Sequence, residues 1–540
     1  MLILEALNLK KYYGEKLIIS VENLKIYKGD KIGIVGQNGA GKTTLLNLLA
    51  EEVAADEGSV KRYCDIAYIK QFSYESINAD AKILKELNVQ DKIKCDVLSG
   101  GESTRLKIAD AVSKNCILMF ADEPTSNLDY KGIEILKQKL NQSESLVLIS
   151  HDRDLLNALC NKIIEVNDGK LSFYEGNFLS YHEQKRLQTE REWFEYEEYT
   201  AVRTRLEDAV RDRQGRSKSM KKAPKRMGNS EARLHKRKAH EKQEKIDNAA
   251  GSMKTRLEKL DIKQKPREIP EIKLDFSLTN PPENKIIISS DNLSFSYGSN
   301  KIFDNTSFKV YNGRKTAVVG DNGTGKTTLL NLINNRNNQI YVVPKAVLGY
   351  FYQGFENLNH SKTVLENVML NSIQTESTAR TILARLLISG DNVHKKVNVL
   401  SGGEKIKVSF AKLFVSNANV LLLDEPTNYL DMMSLEALEN ILCEYKGTVL
   451  FVSHDTAFVN KVADRLLVLK DRKIEDFEGN LKAFYEFKQK VKASDDKEMQ
   501  KAVLEMKLTE IISRMSLPDC NKEQLKAEYS RLLEQLKDCK

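Results

Sequence analysis

The chain carries one string of short motifs twice, in the same order. GQNGAGKTTLLNLL at 36–49 returns as GDNGTGKTTLLNLI at 320–333, and LSGGE at 98–102 returns at 400–404. DEPTSNLD at 122–129 returns as DEPTNYLD at 424–431, and SHD at 150–152 returns at 453–455. The first motif repeats after 284 residues, the second and third after 302. Ordered recurrence of this kind means two copies of one domain, and 540 residues are enough for two large ones. We place the copies at 1–180 and 286–484. One interval differs. Gln71 to Ser99 is 28 residues and Gln353 to Ser401 is 48, so the second copy has room for more structure before LSGGE.

The fold class is α/β. KIGIVG and KTAVVG are short apolar runs suited to buried strands, and each leads through a glycine loop into a helix start, KTTLLNLL or KTTLLNLI. ILMFADEP and VLLLDEP are further buried strands that end in acids, and LVLISHD and TVLFVSHD repeat the pattern. Strands that end in functional loops fit a parallel sheet with its ligand at the carboxyl edge.

G-x-x-x-x-G-K-T is a phosphate loop. Gly36, Gly39 and Gly41 let the backbone curl so that its N–H groups face a phosphate, and the helix start adds partial positive charge. Lys42 reaches toward the β- and γ-phosphates, and Thr43 is a magnesium ligand. The second copy supplies Gly320, Gly323, Gly325, Lys326 and Thr327. Asp122 and Asp424 end apolar strands where they can hold the magnesium shell. Glu123 and Glu425 follow directly, placed to orient or deprotonate an attacking water. His151 and His454, at matching positions after strands, read as γ-phosphate contacts. Glu102 and Glu404 read instead as exposed helix-start acids.

With LSGGE included, the set resembles the ATP-binding cassette (ABC) ATPase family over about 380 of 540 residues. The resemblance implies two cassettes packed head to tail around two ATP molecules with Mg²⁺, each ATP on one phosphate loop and covered by the other cassette's signature. Site one would combine Gly36, Gln37, Asn38, Gly39, Ala40, Gly41, Lys42, Thr43, Thr44, Gln71, Asp122, Glu123 and His151 with Ser401, Gly402 and Gly403. Site two would combine Gly320, Asp321, Asn322, Gly323, Thr324, Gly325, Lys326, Thr327, Thr328, Gln353, Asp424, Glu425 and His454 with Ser99, Gly100 and Gly101. Thr43, Gln71 and Asp122, and Thr327, Gln353 and Asp424, would be the metal ligands. Tyr13 and Tyr297 match the family's adenine-stacking aromatic, although Tyr12 competes with Tyr13 and either can be a plain strand aromatic. The sequence departs from the pattern at Glu102 and Glu404, where many transporters have Gln, and at Ala121, Ser126 and Asn127. Both sites keep Lys, Asp, Glu and His.

Between the copies, residues 181–285 are highly charged. Tyr199, Val202, Leu206 and Ala209 recur at helical spacing, as do Ile246, Ala250, Met253, Leu257 and Leu260. This reads as an antiparallel coiled helical hairpin. Its outward helix, roughly 181–213, would be about 50 Å long. Gly215, Pro224 and Gly228 break the helix at a tip around 213–230. Residues 211–240 hold twelve lysines or arginines against two acids, while the whole chain is only +8. One-signed charge at a hairpin tip points to phosphate contact. The RNA-contact candidates are Arg213, Arg216, Lys218, Met220, Lys221, Lys222, Pro224, Lys225, Arg226 and Met227. Residues 485–540 form a further helical hairpin, with Leu504, Leu508, Ile511 and Ile512 on one helix, Leu525, Leu532 and Leu536 on the other, and Pro518 in the turn.

Two cassettes, a charged helical linker and no apolar run approaching about 20 residues resemble the ABC-F group, soluble ATPases that act on the ribosome. A short first cassette, a long basic linker tip and a C-terminal helical extension resemble its antibiotic-resistance, ribosome-protecting branch. The resemblance implies a monomer with no membrane partner, cytoplasmic and ribosome-associated. It would bind the 70S ribosome and meet rRNA and the P-site tRNA. Its linker would enter the tRNA exit site toward the peptidyl-transferase centre, against lincosamides, streptogramin A compounds and pleuromutilins. Two readings stay open beside it: a translation factor that rescues stalled ribosomes without any drug, and the ATPase subunit of a transporter. Seven scattered cysteines with no metal spacing read as free thiols.

Overall fold

A computed structural model describes residues 1–490 except 71–78, 88, 91–99, 127, 220–228, 267–274, 352–356 and 489, with backbone alone at 130, 218, 219, 229–239 and 241. The C-terminal hairpin expected over 485–540 therefore lies almost wholly outside the described residues, as do Gln71, Ser99, Gln353, Asn127 and the basic tip 220–228. The chain divides into two compact units, Met1–Phe173 with Glu271–Lys540, and Tyr174–Pro270.

The first unit holds both cassettes. The first opens on an antiparallel hairpin, β1 (Leu2–Tyr13) and β2 (Lys16–Tyr27). Next come β3 (Lys31–Gly36), α1 (Lys42–Leu49), β4 (Glu57–Arg62), β5 (Ile66–Ile69), α2 (Ala81–Glu86) and α3 (Gly100–Ser113). Then follow β6 (Leu118–Asp122), α4 (Tyr130–Gln142), β7 (Ser145–Ile149), α5 (Arg153–Leu159), β8 (Lys162–Asn167) and β9 (Lys170–Glu175). The main sheet runs β5-β6-β7-β3-β8-β9, and β4 joins β1 in a separate three-stranded antiparallel sheet. Every residue of β6 and β7 is buried, as expected for strands covered on both faces. Ala121, the departure noted in the sequence, is fully buried and pairs with Leu148. Burying a large apolar side chain such as Phe120 contributes about 2 kcal/mol, and an unbroken set of such residues spans both sheets.

In the second cassette the hairpin is β10 (Ile286–Tyr297) and β11 (Asn300–Tyr311), followed by β12 (Lys315–Gly320), α8 (Lys326–Asn334), β13 (Tyr341–Val342) and β14 (Leu348–Phe351). The longer interval seen in the sequence is filled by α9 (Val364–Met369) and α10 (Glu376–Arg385). The signature helix α11 (Gly402–Phe414) leads to β15 (Val420–Asp424), α12 (Met432–Glu444), β16 (Thr448–Val452), α13 (Thr456–Val462), β17 (Arg465–Lys470) and β18 (Lys473–Glu478). Its sheet order, β14-β15-β16-β12-β17-β18, matches the first, with β18 antiparallel at the edge. Glu404 does act as a helix-start acid. It completes a capping box with Ser401.

The second unit is a helical hairpin. Its outgoing helix, α6 (Phe178–Ser219), has 42 residues and is about 63 Å long, longer than the sequence suggested. Gly215 does not break it, since one glycine costs only about 1 kcal/mol within a long helix. The return helix is α7 (Asn229–Glu258). Val202 is 41 % exposed and off the seam. The buried phase continues instead from Leu206 through Val210 and Ser217, which sit with Ala250 in the interior. Arg213 turns partly into the seam, its guanidinium against the Met253 sulfur, whereas Arg216 stays exposed.

Candidate functional site

Each phosphate loop is built by a glycine that no other residue replaces cheaply. Gly41 caps α1 at φ 99° and Gly325 caps α8 at φ 100°, both left-handed. A Cβ on Gly41 would meet Ile19 of the antiparallel hairpin, and one on Gly325 would meet Ile302. The hairpins thus hold the loops from behind. Lys42 Nζ bonds Gly36 O (2.8 Å) and Gln37 O (3.0 Å), and Lys326 repeats this on Gly320 O (2.9 Å) and Asp321 O (3.0 Å). Burial lowers the pKa of both lysines. Ala40 N–H bonds Gln37 O, and Thr324 closes the second loop onto Asp321 O. Thr44 and Thr328 lie in the first helical turns.

Beside the lysines, Asp122 bonds the Thr43 hydroxyl and Asp424 bonds the Thr327 hydroxyl. Burial pushes the Asp122 carboxyl up to about 6 and raises that of Asp424. A buried carboxylate and hydroxyl side by side are hard oxygen donors, the chemistry that suits Mg²⁺.

Glu123 and Glu425 have a feature that no motif announces. Both sit at left-handed φ, 47° and 46°. The strained turn is pinned by Glu123 N–H to Ile149 O (2.9 Å) and Glu425 N–H to Val452 O (3.0 Å). It aims each carboxylate at a histidine, with His151 Nε2 to Glu123 Oε1 and His454 Nε2 to Glu425 Oε1 both 3.4 Å. Burial pushes the Glu425 carboxyl up to about 7 and raises that of Glu123, while it lowers both histidines to about 4. The histidines are therefore neutral at pH 7.

The cassettes meet across these loops. A cavity of about 800 Å³ is lined by Gly100 and Gly101 of the first cassette and by Gly323, Gly325, Lys326, Thr327 and Thr328 of the second. Glu425, His454, Glu123 and His151 also line it. On the other side, Asn38 donates to Tyr429 O (2.8 Å) and to Asp431 (3.2 Å), and its amide lies beside Gly403. Gly402 begins α11, directly after its cap Ser401. Tyr13 and Tyr297 end their hairpin strands, 56 % and 58 % exposed; from the second hairpin the cavity takes Ile302 rather than Tyr297. Tyr12 is partly buried, its backbone N–H on Asp56.

Asp129 and Asp431 went unassigned in the sequence. Each caps a helix, α4 or α12, and each accepts an N–H from the opposite phosphate loop, Asn322 or Asn38. Burial alone would raise the Asp129 carboxyl, but the Gly132 N–H and the Arg105 guanidinium (2.6 Å) hold it below the usual range. Lys407 does the same for Asp431. Both acids stood in the repeated motif, the signal that could have found them.

The ABC transporter family profile matches residues 20–126 and 303–428. The chain is 32% identical over 462 residues to "Erythromycin resistance ATP-binding protein MsrA" of Staphylococcus epidermidis, covering 82% of this chain and 93% of that one. It is 32% identical over 460 residues to "Ribosome protection protein VmlR" of Bacillus subtilis, covering 82% of each. Among solved structures, "RNase-L Inhibitor" shares the fold with TM-score 0.59 at 19% identity, covering 88% of this chain and 90% of that one. No helix among the described residues is long and apolar enough to cross a membrane. Twin cassettes joined by a helical hairpin, with likeness to these relatives along 82% of the chain, make it an ATPase that belongs to the ABC-F family of ATP-binding cassette proteins.

Proposed function

We propose that this chain is a monomeric, cytoplasmic ribosome-protection factor. It binds the 70S ribosome with ATP, extends its linker through the tRNA exit site toward the peptidyl-transferase centre, and meets rRNA and the P-site tRNA. There it counters lincosamides, streptogramin A compounds and pleuromutilins. The observation that carries the reading is likeness to a resistance protein and a ribosome protection protein along 82% of the chain. The basic tip supports it. The name of the first relative adds erythromycin to the drugs worth testing.

ATP would lie on Gly36–Thr44 and Gly320–Thr328, with Lys42 and Lys326 released from their loop carbonyls onto phosphate oxygens. Gln71, Thr43 and Asp122, with Gln353, Thr327 and Asp424, would hold Mg²⁺, which would screen the charge of the phosphates. Glu123 and Glu425 orient the attacking water, and neutral His151 and His454 donate to the γ-phosphate. Ser99–Gly101 and Ser401–Gly403 close on the opposite nucleotide, and hydrolysis reopens the cassettes and releases the ribosome.

The test is expression in a susceptible host followed by a drug panel, for the full chain and for a variant lacking residues 214–230. Resistance that disappears with the tip while ATP hydrolysis persists supports the reading. Resistance that survives the deletion contradicts it, and unchanged susceptibility with the full chain would favour drug-free rescue of stalled ribosomes.

A further inference from the structure

The two nucleotide sites share every motif, yet the contacts behind their histidines differ. Arg153 is the second residue after His151 and the first of α5. Its Nη1 lies 3.1 Å from Glu439 Oε2, and its Nη2 lies 4.0 Å from Glu436 Oε1, both on α12 of the other cassette. Arg153 is 16% exposed and Glu439 0%, so little water screens the pair. Glu439 is also held by Lys461 of α13 at 2.8 Å. The helix that carries Glu439 begins at Asp431, which accepts the Asn38 N–H of the first phosphate loop. The His151 loop and the first phosphate loop are thus tied to one helix of the opposite cassette, through Arg153 on Glu439 and Asn38 on Asp431.

Site two keeps the matching cap contact, Asn322 N–H on Asp129, but not the buried ion pair. By the 302-residue repeat, Glu439 corresponds to Lys137 of α4. The residue two places after His454 is Thr456. Its hydroxyl bonds Asp154 of α5 at 2.7 Å and makes no ion pair. Lys137 acts on Asp152 within its own cassette.

We propose that Arg153 is a positioning residue for the first nucleotide site. Its ion pair with Glu439 ties the His151 loop to the opposite cassette, so closure over site one is latched by a buried ion pair, whereas closure over site two rests on the Thr456–Asp154 hydrogen bond and the exposed Lys131–Asp321 pair. This rests on the assignment of the two nucleotide sites given above. Arg153 is not among the residues that line the cavity between the cassettes. It acts by holding His151 and Glu123 where the opposite cassette has closed.

The test uses the full chain. Glu425→Gln leaves hydrolysis to site one, and Glu123→Gln leaves it to site two. Arg153→Ala in the first background should raise KM for ATP about tenfold, whereas in the second KM should move less than about twofold. Arg153→Lys keeps the charge and should recover most of the loss, which a side chain needed only for packing would not allow. Glu439 keeps Lys461 in every variant, so the fold is not left with an unpaired buried acid; equal thermal midpoints check this. Equal KM increases in both backgrounds, or a lysine variant as impaired as alanine, overturn the latch and leave the site assignment standing. The parent variants judge that assignment alone: if neither glutamine change slows hydrolysis, the assignment falls and the latch with it.

Discussion

The two cassettes have the same sheet order, the same strained glutamate and the same lysine-on-carbonyl loop, but opposite charge where they face each other. The first supplies cations at Lys131 and Arg153, and the second supplies anions at Asp321 and Glu439. At the matching positions stand Met433 and Thr456 in the second cassette and Gln37 and Lys137 in the first. In a pairing of two first cassettes, Arg153 would face Lys137. Duplication of one domain has thus become a matched pair, with the phosphate-loop and glutamate geometry shared and the facing contacts diverged, alongside the α9 and α10 insertion of the second cassette.

The largest expected effect erases the comparison. Glu123→Gln with Glu425→Gln should lower ATP turnover about a thousandfold if both carboxylates orient the attacking water as proposed. The single variants should differ from one another, and identical residual rates would mean that the unequal interface does not reach the chemistry.

Next come the helix caps that reach across the interface. Asp129→Ala and Asp431→Ala should each cost about 1 kcal/mol of stability from the lost cap, read as a fall in denaturant midpoint. Turnover should fall further than that, since each acid also holds the opposite phosphate loop. Each change also removes the acid beside a cation, Arg105 at Asp129 and the more buried Lys407 at Asp431, so the two losses should be comparable.

A smaller effect is expected at Lys131 and Asp321, 71% and 52% exposed. Exposed pairs contribute about 0–1 kcal/mol, so Lys131→Met should change KM for ATP less than about twofold, and added salt should erase the difference. A large change would move the main cassette contact from the buried latch to the rim.

A pH effect at Asp455 acts on folding stability and leaves the cassette comparison itself least changed. Burial first, then Asp152, pushes its carboxyl up to about 7, although the Phe458 N–H and Arg153 oppose the rise. A raised carboxyl favours the folded state when protonated, and that contribution is lost as pH rises from the unfolded value, about 4, through 7. Asp455→Asn should therefore raise the thermal midpoint at pH 8 relative to wild type, with a difference that shrinks steadily toward about pH 4.

Much of this was legible in the sequence because the chemistry is carried by contiguous motifs and the duplication repeats each of them. The parallel strands announced themselves as unbroken apolar runs. The antiparallel hairpins at Leu2–Tyr27 and Ile286–Tyr311 did not, because their alternation is broken by consecutive outward residues, Glu22 with Asn23 and Asp291 with Asn292. The phase of the linker seam was misjudged at Val202 because apolar residues occur on more than one face of α6. The Arg153–Glu439 pair joins residues 286 apart in non-equivalent motifs, and no local pattern links them. The left-handed φ of Glu123 and Glu425 is invisible for a similar reason, since tertiary hydrogen bonds to Ile149 and Val452 impose it.

The most direct measurement is co-sedimentation of the Glu123→Gln, Glu425→Gln protein with 70S ribosomes. With ATP it should stay bound near one copy per ribosome, and without nucleotide, or when Lys42→Ala and Lys326→Ala are added, it should remain in the supernatant. Binding that ignores ATP, or no binding at all, would contradict an ATP-closed factor acting on the ribosome.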